Sequence, residues 1–454
     1  MSADNGKLGR RRFVQAAGAG VAAFTIVPRH VLGGAGKRAA SDKVSIACVG
    51  IGGRGASDVG AVSGESIVAL CDVDERRAGD SFQKHPNAKR YRDVRKMLDE
   101  VHKSIDAVVV ATPDHTHAVA CMEAMKRGKH VYCEKPLAHS IGEVRRLMKA
   151  ARDNKLITQL GNQGHSSSRI RSFCEWIWDG AIGAVKEVHA FCGVGDRPGS
   201  YSRIHLLDRL KDKDPVPKEL DWDLWLGPAQ RRPYNRMFLP GSWRGWLWFG
   251  TGNLGDWVCH VVDPSFWALD LGAPRTIRAE ANGYDPAKHA CVYPPGTKVT
   301  YEFPAKGSRG PVTLYWYDGN KMPPRPADLE TGRDFPNTGA IVIGEKGTIM
   351  HGSHGAGGAR LVPDSRMREY KLPAEKLPRV RGHHADWLDA IRNGKQAGSN
   401  FDYGGPLTEL ALLGLIAIRF LGRELQWDGA AMRFPNCPEA NALIDPPYRQ
   451  GWAL

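Results

Sequence analysis

Val44-Ser45-Ile46-Ala47-Cys48-Val49 runs directly into Gly50-Ile51-Gly52-Gly53-Arg54-Gly55. The first six residues are a short, β-branched apolar run, which predicts a buried strand. The glycines predict a tight turn and then a helix. In such a loop one glycine permits the turn, one lets backbone approach a pyrophosphate, and one lets helix and strand pack closely. The helix start then offers its free N–H groups and positive dipole end to the phosphates. By itself this spacing is a weak sign. A second apolar run, Ser66–Cys71, makes it specific, because it ends in Asp72, 22 residues after Gly50. That is where a carboxylate holds the adenosine ribose hydroxyls. An acid there repels a 2′-phosphate and favours NAD, while Arg76 and Arg77 keep NADP open. The competing reading of Asp72 is a turn or helix cap.

The alternation continues downstream. Val94–Val101 reads as a helix and Ile105–Ala111 as a buried strand, ending in Thr112-Pro113-Asp114-His115-Thr116-His117. A helix through Lys126 leads to the strand Lys129–Cys133 and to Glu134-Lys135-Pro136. A helix over Glu143–Asn154 and a strand Leu156–Leu160 follow. Strand–helix repetition with near-continuous apolar strands predicts a parallel sheet wound on both faces. Its ligands belong at the carboxyl ends of the strands. Gly50, Ile51, Gly52, Gly53, Arg54, Asp72, Thr112, Pro113, His117, Glu134 and Lys135 all lie at such ends and are the candidate cofactor residues. Asn162, Gln163 and His165 follow the last strand and are placed beside them.

With 454 residues, 42% apolar and 25% charged, the chain has the composition of an ordinary globular protein of two or three domains. No uncharged apolar stretch of about 18 residues continues past the N-terminus, so no stable membrane span is expected. The net charge of +14 suggests nucleic acid at first sight. Residues 1–40, however, hold seven basic residues and one acid, and without them the charge falls to +8. No basic block remains, so no nucleic acid partner is expected. Arg10-Arg11-Arg12-Phe13-Val14-Gln15 followed by an Ala/Gly-rich apolar stretch resembles a twin-arginine export signal, so residues 1–40 read as signal and linker. That address places the protein in the periplasm and makes the export machinery a partner. The nine cysteines lack any C-x-x-C spacing, which excludes a zinc ribbon and argues against a dense disulfide framework.

G-x-G-G-x-G, Thr112-Pro113-Asp114-His115-Thr116-His117 and Cys133-Glu134-Lys135-Pro136 together resemble the Gfo/Idh/MocA family of nicotinamide-dependent sugar oxidoreductases. The similarity extends through Gly161–His165, Leu220–Gly227 and Gly255-Asp256-Trp257-Val258-Cys259-His260. It implies an α/β fold: a Rossmann domain over 41–161, then an α/β substrate and oligomerisation domain over 162–454 with a large, open, mainly antiparallel sheet. It also implies a homo-oligomer, dimer or tetramer. Carried over residue by residue, it makes Lys135 the lysine that holds the reacting hydroxyl near the nicotinamide.

The same resemblance pairs Asp256 with His260. Positions i and i+4 share a helix face, and neutral imidazole is a suitable base for a hydroxyl proton. Spacing alone leaves three readings open: catalysis, a core histidine beside a helix-start acid, or a metal pair completed by His383 or His384. The resemblance favours catalysis by Lys135, Asp256 and His260 without a metal.

All thirteen tryptophans lie after residue 175, and seven fall between Trp222 and Trp267. Sugar rings pack their C–H faces on indole, although most of a tryptophan cluster is ordinarily core. Trp243, Arg244, His165 and His384 are the candidate substrate contacts, with Arg197 and Tyr201 as weaker ones. Gly352–Gly358 reads as an uninformative loop. These features predict hydride transfer from a sugar, cyclitol or glycoside to a tightly bound, recycled NAD. The alternative is a redox-neutral NAD-dependent glycosidase or lyase working through a transient keto-sugar. A non-enzymatic binding protein and a metal-dependent hydrolase rank below both.

Overall fold

The computed structural model describes residues 42–193, 201–319, 321–334 and 336–454. The twin-arginine segment, with Arg10 and Arg11, and the candidate Arg197 lie outside them. Within the compact unit Ser45–Leu454, the strand–helix alternation runs through β1 (Ser45–Val49), α1 (Arg54–Ala61), β2 (Ser66–Cys71), α2 (Glu75–Lys84), β3 (Lys89–Tyr91) and α3 (Val94–Val101). It continues through β4 (Ala107–Val110), α4 (Asp114–Lys126), β5 (His130–Glu134), α5 (Ile141–Asp153) and β6 (Thr158–Gly161). The six strands pair in parallel in the order β3-β2-β1-β4-β5-β6. Strand order reverses between β1 and β4, and the crevice outside the strand ends at that switch is where ligands bind in open α/β sheets. Helix α5 starts two residues before the expected Glu143, because Ser140 and Glu143 form a reciprocal capping box.

The second sheet has eight strands. They are β7 (Val185–Cys192), β8 (Thr276–Ala281), β9 (Thr297–Phe303), β10 (Val312–Asp318), β11 (Thr338–Gly344), β12 (Gly347–Gly352), β13 (Arg360–Val362) and β14 (Glu424–Gln426). Their order is β13-β12-β11-β7-β10-β9-β8-β14. Only the β7–β10 pair is parallel, so the sheet is open and mainly antiparallel. The helices of this half are α6 (Ser168–Trp178), α7 (Trp222–Leu226), α8 (Gly252–Val261), α9 (Asp263–Ala268), α10 (Asp364–Glu369), α11 (His383–Asn393) and α12 (Phe401–Ile418).

One apolar core runs through both sheets, from Val108 and Val131 to Val299 and Trp316. Helix α12 joins them. The Leu137 amide donates to Thr408 Oγ1 (3.1 Å), and the Leu160 amide to Ser399 O (2.8 Å) just before the helix. Among the described residues α12 is the one helix long and apolar enough to cross a membrane, but 78% of it is buried in this core. A second, aromatic core gathers Trp225, Tyr234, Phe238, Trp246 and Phe249, with Trp222 and Trp248 packed against it. Most of the tryptophan cluster is therefore structural. All nine cysteines are unpaired, eight of them buried.

Candidate active site

The glycine loop is built around contacts that no side chain allows. Gly50 adopts φ +74°, and a Cβ there would lie 2.7 Å from the Ala111–Thr112 backbone. A Cβ on Gly55 would collide with the Gly50 carbonyl. Asp72 braces the turn: its carboxylate accepts the amides of Ile51 (2.9 Å) and Asp74 (3.0 Å). Asp72 thus does cap backbone while facing the cavity. Helices α2, α3 and α5 are capped by Asp74, Asp93 and Ser140, whereas α1 begins at Gly53 with no side-chain cap. The Gly55 amide turns onto Gly52 O (3.1 Å), and a helix start without a side-chain cap is where an anion is received. These features fit a dinucleotide diphosphate.

A cavity of about 510 Å³ opens from this loop, within the range of small-molecule sites. Gly50, Gly52, Gly53, Arg54, Asp72, Thr112, Pro113, His117, Glu134 and Gln163 line it, as do Lys135, Asp256, His260, Trp243 and Arg244. His117 sits between two strand-end loops, its ring nitrogens 2.7 Å from the carbonyls of Thr112 and Pro136. Arg54 crosses the cavity floor to Glu134 Oε1 (3.1 Å) and Asp58 (2.8 Å), and Gln163 Nε2 also donates to Glu134 (2.5 Å). Burial, then the nearby Asp58, pushes the Glu134 carboxyl up to about 7.

Three groups converge on Asp256 at the cavity's other end. Lys135 Nζ and the Tyr201 hydroxyl donate to its carboxylate, and Arg244 Nε lies 3.3 Å away. Lys135 Nζ also donates to the Asp256 carbonyl (3.1 Å). Arg244 extends the chain to buried Asp114 (2.9 Å), which takes both the amide (3.0 Å) and hydroxyl (2.5 Å) of Thr251. Burial disfavours a charged Asp256, but Lys135 and Arg244 outweigh it and hold its carboxyl well below the usual range. Asp256 is therefore an ionised anchor.

His260 sits on the same helix, α8, but Asp256 does not orient it: the carboxylate is occupied by Lys135, Tyr201 and Arg244. The ring is instead stacked on His354, with centroids 4.1 Å apart and planes at 21°, and Trp257 meets both edge-on. Its buried Nδ1 has no partner among the described residues. Burial, then the Lys135 charge, drives the His260 imidazole well below 6.5, and His354 is lowered by the same causes. A neutral imidazole beside an ammonium–carboxylate pair can take a proton from a hydroxyl held by the ammonium.

Four expected contacts do not reach the wall. Ile51 is fully buried, and only its amide meets Asp72. His165 turns inward, its Nδ1 3.0 Å from Asp263 and its ring stacked on Trp267. Asn162 is buried between Asp263 (3.2 Å) and Ser399 (2.7 Å). His384 stacks on Tyr132 and reaches Asp58 (3.2 Å), behind Glu134. His383 hydrogen-bonds Ser166 (2.7 Å) and Leu160 O (2.6 Å), so neither histidine completes a ligand set with Asp256 and His260. Conversely, His354, Trp225, Trp257 and Trp452 line the cavity without having been expected there. His354 lies inside the supposedly uninformative Gly352–Gly358 loop. Its neighbour Gly355 approaches Gly164 so closely that neither could carry a Cβ. That approach fixes the loop over His260 and was invisible locally.

A Rossmann sheet whose switch-point cavity joins a glycine loop to a lysine–aspartate–histidine cluster defines a dinucleotide-dependent enzyme class. Residues 44–162 match the family model described as oxidoreductase family, NAD-binding Rossmann fold. Residues 207–307 and 332–454 match that of the oxidoreductase family C-terminal alpha/beta domain. The chain belongs to the Gfo/Idh/MocA oxidoreductase family.

An inositol 2-dehydrogenase of Rubrobacter xylanophilus is 32% identical over 152 residues, 32% of this chain and 43% of the relative. The chain thus matches less than half the length of such curated relatives. Two solved structures share the fold. An aldose-aldose oxidoreductase from Caulobacter crescentus, complexed with glycerol, gives a TM-score of 0.56 at 17% identity, covering 85% of this chain and 100% of that one. An inositol dehydrogenase homolog from Azotobacter vinelandii, complexed with NADH and myo-inositol, gives 0.53 at 15%, covering 85% and 98%.

Proposed function

We propose that the protein oxidises a secondary hydroxyl of a cyclitol or sugar, with NAD as hydride acceptor. One observation carries this reading: Lys135, fixed by Asp256, and a neutral His260 face one cavity that begins at the glycine loop. Bound nicotinamide supplies the acceptor for the hydride that leaves the substrate carbon with its electron pair. Lys135 holds the reacting oxygen, His260 takes the hydroxyl proton, and Asp256 with Arg244 keeps the ammonium in place. Asp72 favours NAD over NADP, since its carboxylate opposes a 2′-phosphate. Inositol and aldose names among the relatives, and the indole walls Trp243 and Trp257, support a polyol substrate.

The remaining parts of the reading rest on sequence. The Arg10-Arg11 segment supports export by the twin-arginine route, and scarce free NAD outside the cytoplasm then requires a cofactor that is tightly held and recycled in place. The open second sheet suits a homo-oligomer. The test is mass spectrometry of the nucleotide released from purified protein, followed by a panel of cyclitols, aldoses and glycosides assayed with and without added NAD. Ketone or lactone formation with reduction of NAD supports net oxidation. Sugar release from a glycoside without net reduction replaces it by a redox-neutral reaction. A protein that binds no dinucleotide and changes no member of the panel sinks the proposal.

A further inference from the structure

Asp72 marks where an adenosine ribose is held, so the base lies beyond it, past the end of β2. The cavity continues in that direction. Its walls there are Arg92, Asp93 and Val94 at the start of α3, Thr116 on α4, Leu224 on α7, and Trp452. Trp452 arrives from some 400 residues beyond the glycine loop, and two cations hold it. Arg449, 5% exposed, grips the Asp223 carboxylate (2.8 and 3.1 Å) and the Gly227 carbonyl (2.5 Å). The Arg449 amide donates to Pro228 O (3.1 Å), and the Trp452 amide closes a turn onto Arg449 O (3.3 Å). Arg95 lies 4.4 Å over the indole and is itself held by both oxygens of Asp93 (3.0 and 2.7 Å). Trp452 belongs to neither of the two large apolar cores. A half-buried indole, positioned by charged residues and bordering a cavity, is a surface for a flat aromatic ligand.

We infer that Trp452 forms the purine wall of the site, so that the segment Arg449–Trp452 supplies the aromatic contact for the adenine of the dinucleotide. This rests on the cavity being a dinucleotide site. Trp452 is a binding residue seated on Arg95 in the first turn of α3, whereas Lys135 follows β5 and His260 sits on α8, so it acts on retention rather than on chemistry. An aromatic side chain under a base contributes on the scale that makes its loss about tenfold or more in affinity.

The experiment frees the full chain and its W452A and W452F variants of any bound nucleotide and titrates them with ADP-ribose and, separately, with nicotinamide mononucleotide, by calorimetry. W452A is expected to weaken ADP-ribose about tenfold, to leave the mononucleotide unchanged, and W452F to recover most of the loss. Equal ADP-ribose affinity in W452A and the unaltered chain overturns the inference. So does a parallel loss for both probes in W452A or W452F at an unchanged thermal midpoint. If the unaltered chain binds neither probe, it is the dinucleotide reading itself that fails, which is a distinguishable result.

Discussion

Glu134→Gln tests the electrostatics of the cavity floor without needing a substrate. Glu134 is buried beside Asp58, and its carboxyl is raised from 4.5 to about 7. In that interval the folded chain binds a proton that the unfolded chain has released. The protonated-state stabilisation is thus fully present below about pH 4.5 and is lost as pH rises through about 7. At about 1.4 kcal/mol per unit, the ionised carboxylate costs the fold about 3 kcal/mol at alkaline pH. Glutamine keeps the shape and an oxygen for Arg54 and Gln163 but carries no charge. For a chain of this size unfolding entropy is about 1 kcal/mol/K, so E134Q is expected to melt about 3 °C above the parent at pH 8.5. At pH 4.5 the two should nearly coincide. Calorimetric midpoints of cofactor-free protein at both pH values measure the difference. A gap that does not change with pH, or a variant that is less stable at pH 8.5, would refute the argument that burial, with Asp58 close by, disfavours an ionised Glu134.

Three further outcomes follow from the geometry. Lys135→Met should lower kcat by about 100- to 1000-fold, the range for losing one donor to a developing oxyanion, while NAD affinity stays within about threefold; steady-state kinetics and calorimetry check both halves. Because burial and Lys135 hold the His260 imidazole down, the acid limb of kcat/KM should lie well below pH 6.5, with activity lost as pH falls through it. In Lys135→Met that limb should move upward. Gly55→Ala drives a methyl into the Gly50 carbonyl, so the purified variant should carry no dinucleotide and melt at a lower temperature, both read directly on the isolated protein.

What was legible in the sequence was whatever is local. The glycine loop, Asp72, Glu134-Lys135 and the Asp256–His260 helix each declare themselves within a few residues, and strand ends place them at one sheet edge. What was not legible came from pairings across long separations. His354 meets His260 only because Gly164 and Gly355 have no side chains to hold their loops apart. His165 turns away from the cavity toward Asp263 and Trp267, although its position after β6 suggested the opposite. Asp256 shares a helix face with His260, which suits it to orient either the ring or the substrate; Lys135, with Tyr201 and Arg244, 55 and 12 residues upstream, takes its oxygens, which excludes the first of these. His384 was placed near substrate as a helix-start residue, but the buried Asp58 draws it behind the floor.

Helix α12 has a consequence for how the chain comes off the ribosome. It covers α5 and the edge strand β6, Phe401 N donates to Thr158 Oγ1 (2.9 Å), and Arg145 is clamped by Glu409 (2.5 and 2.8 Å). The dinucleotide sheet is complete in sequence by Gly161, yet its outer flank stays bare until residue 418 has been synthesised. For more than half of its translation the nascent chain exposes an apolar face that only its own last quarter can cover. The amino-terminal third is therefore not a portable module, and any holding factor that shields it during synthesis must let go late.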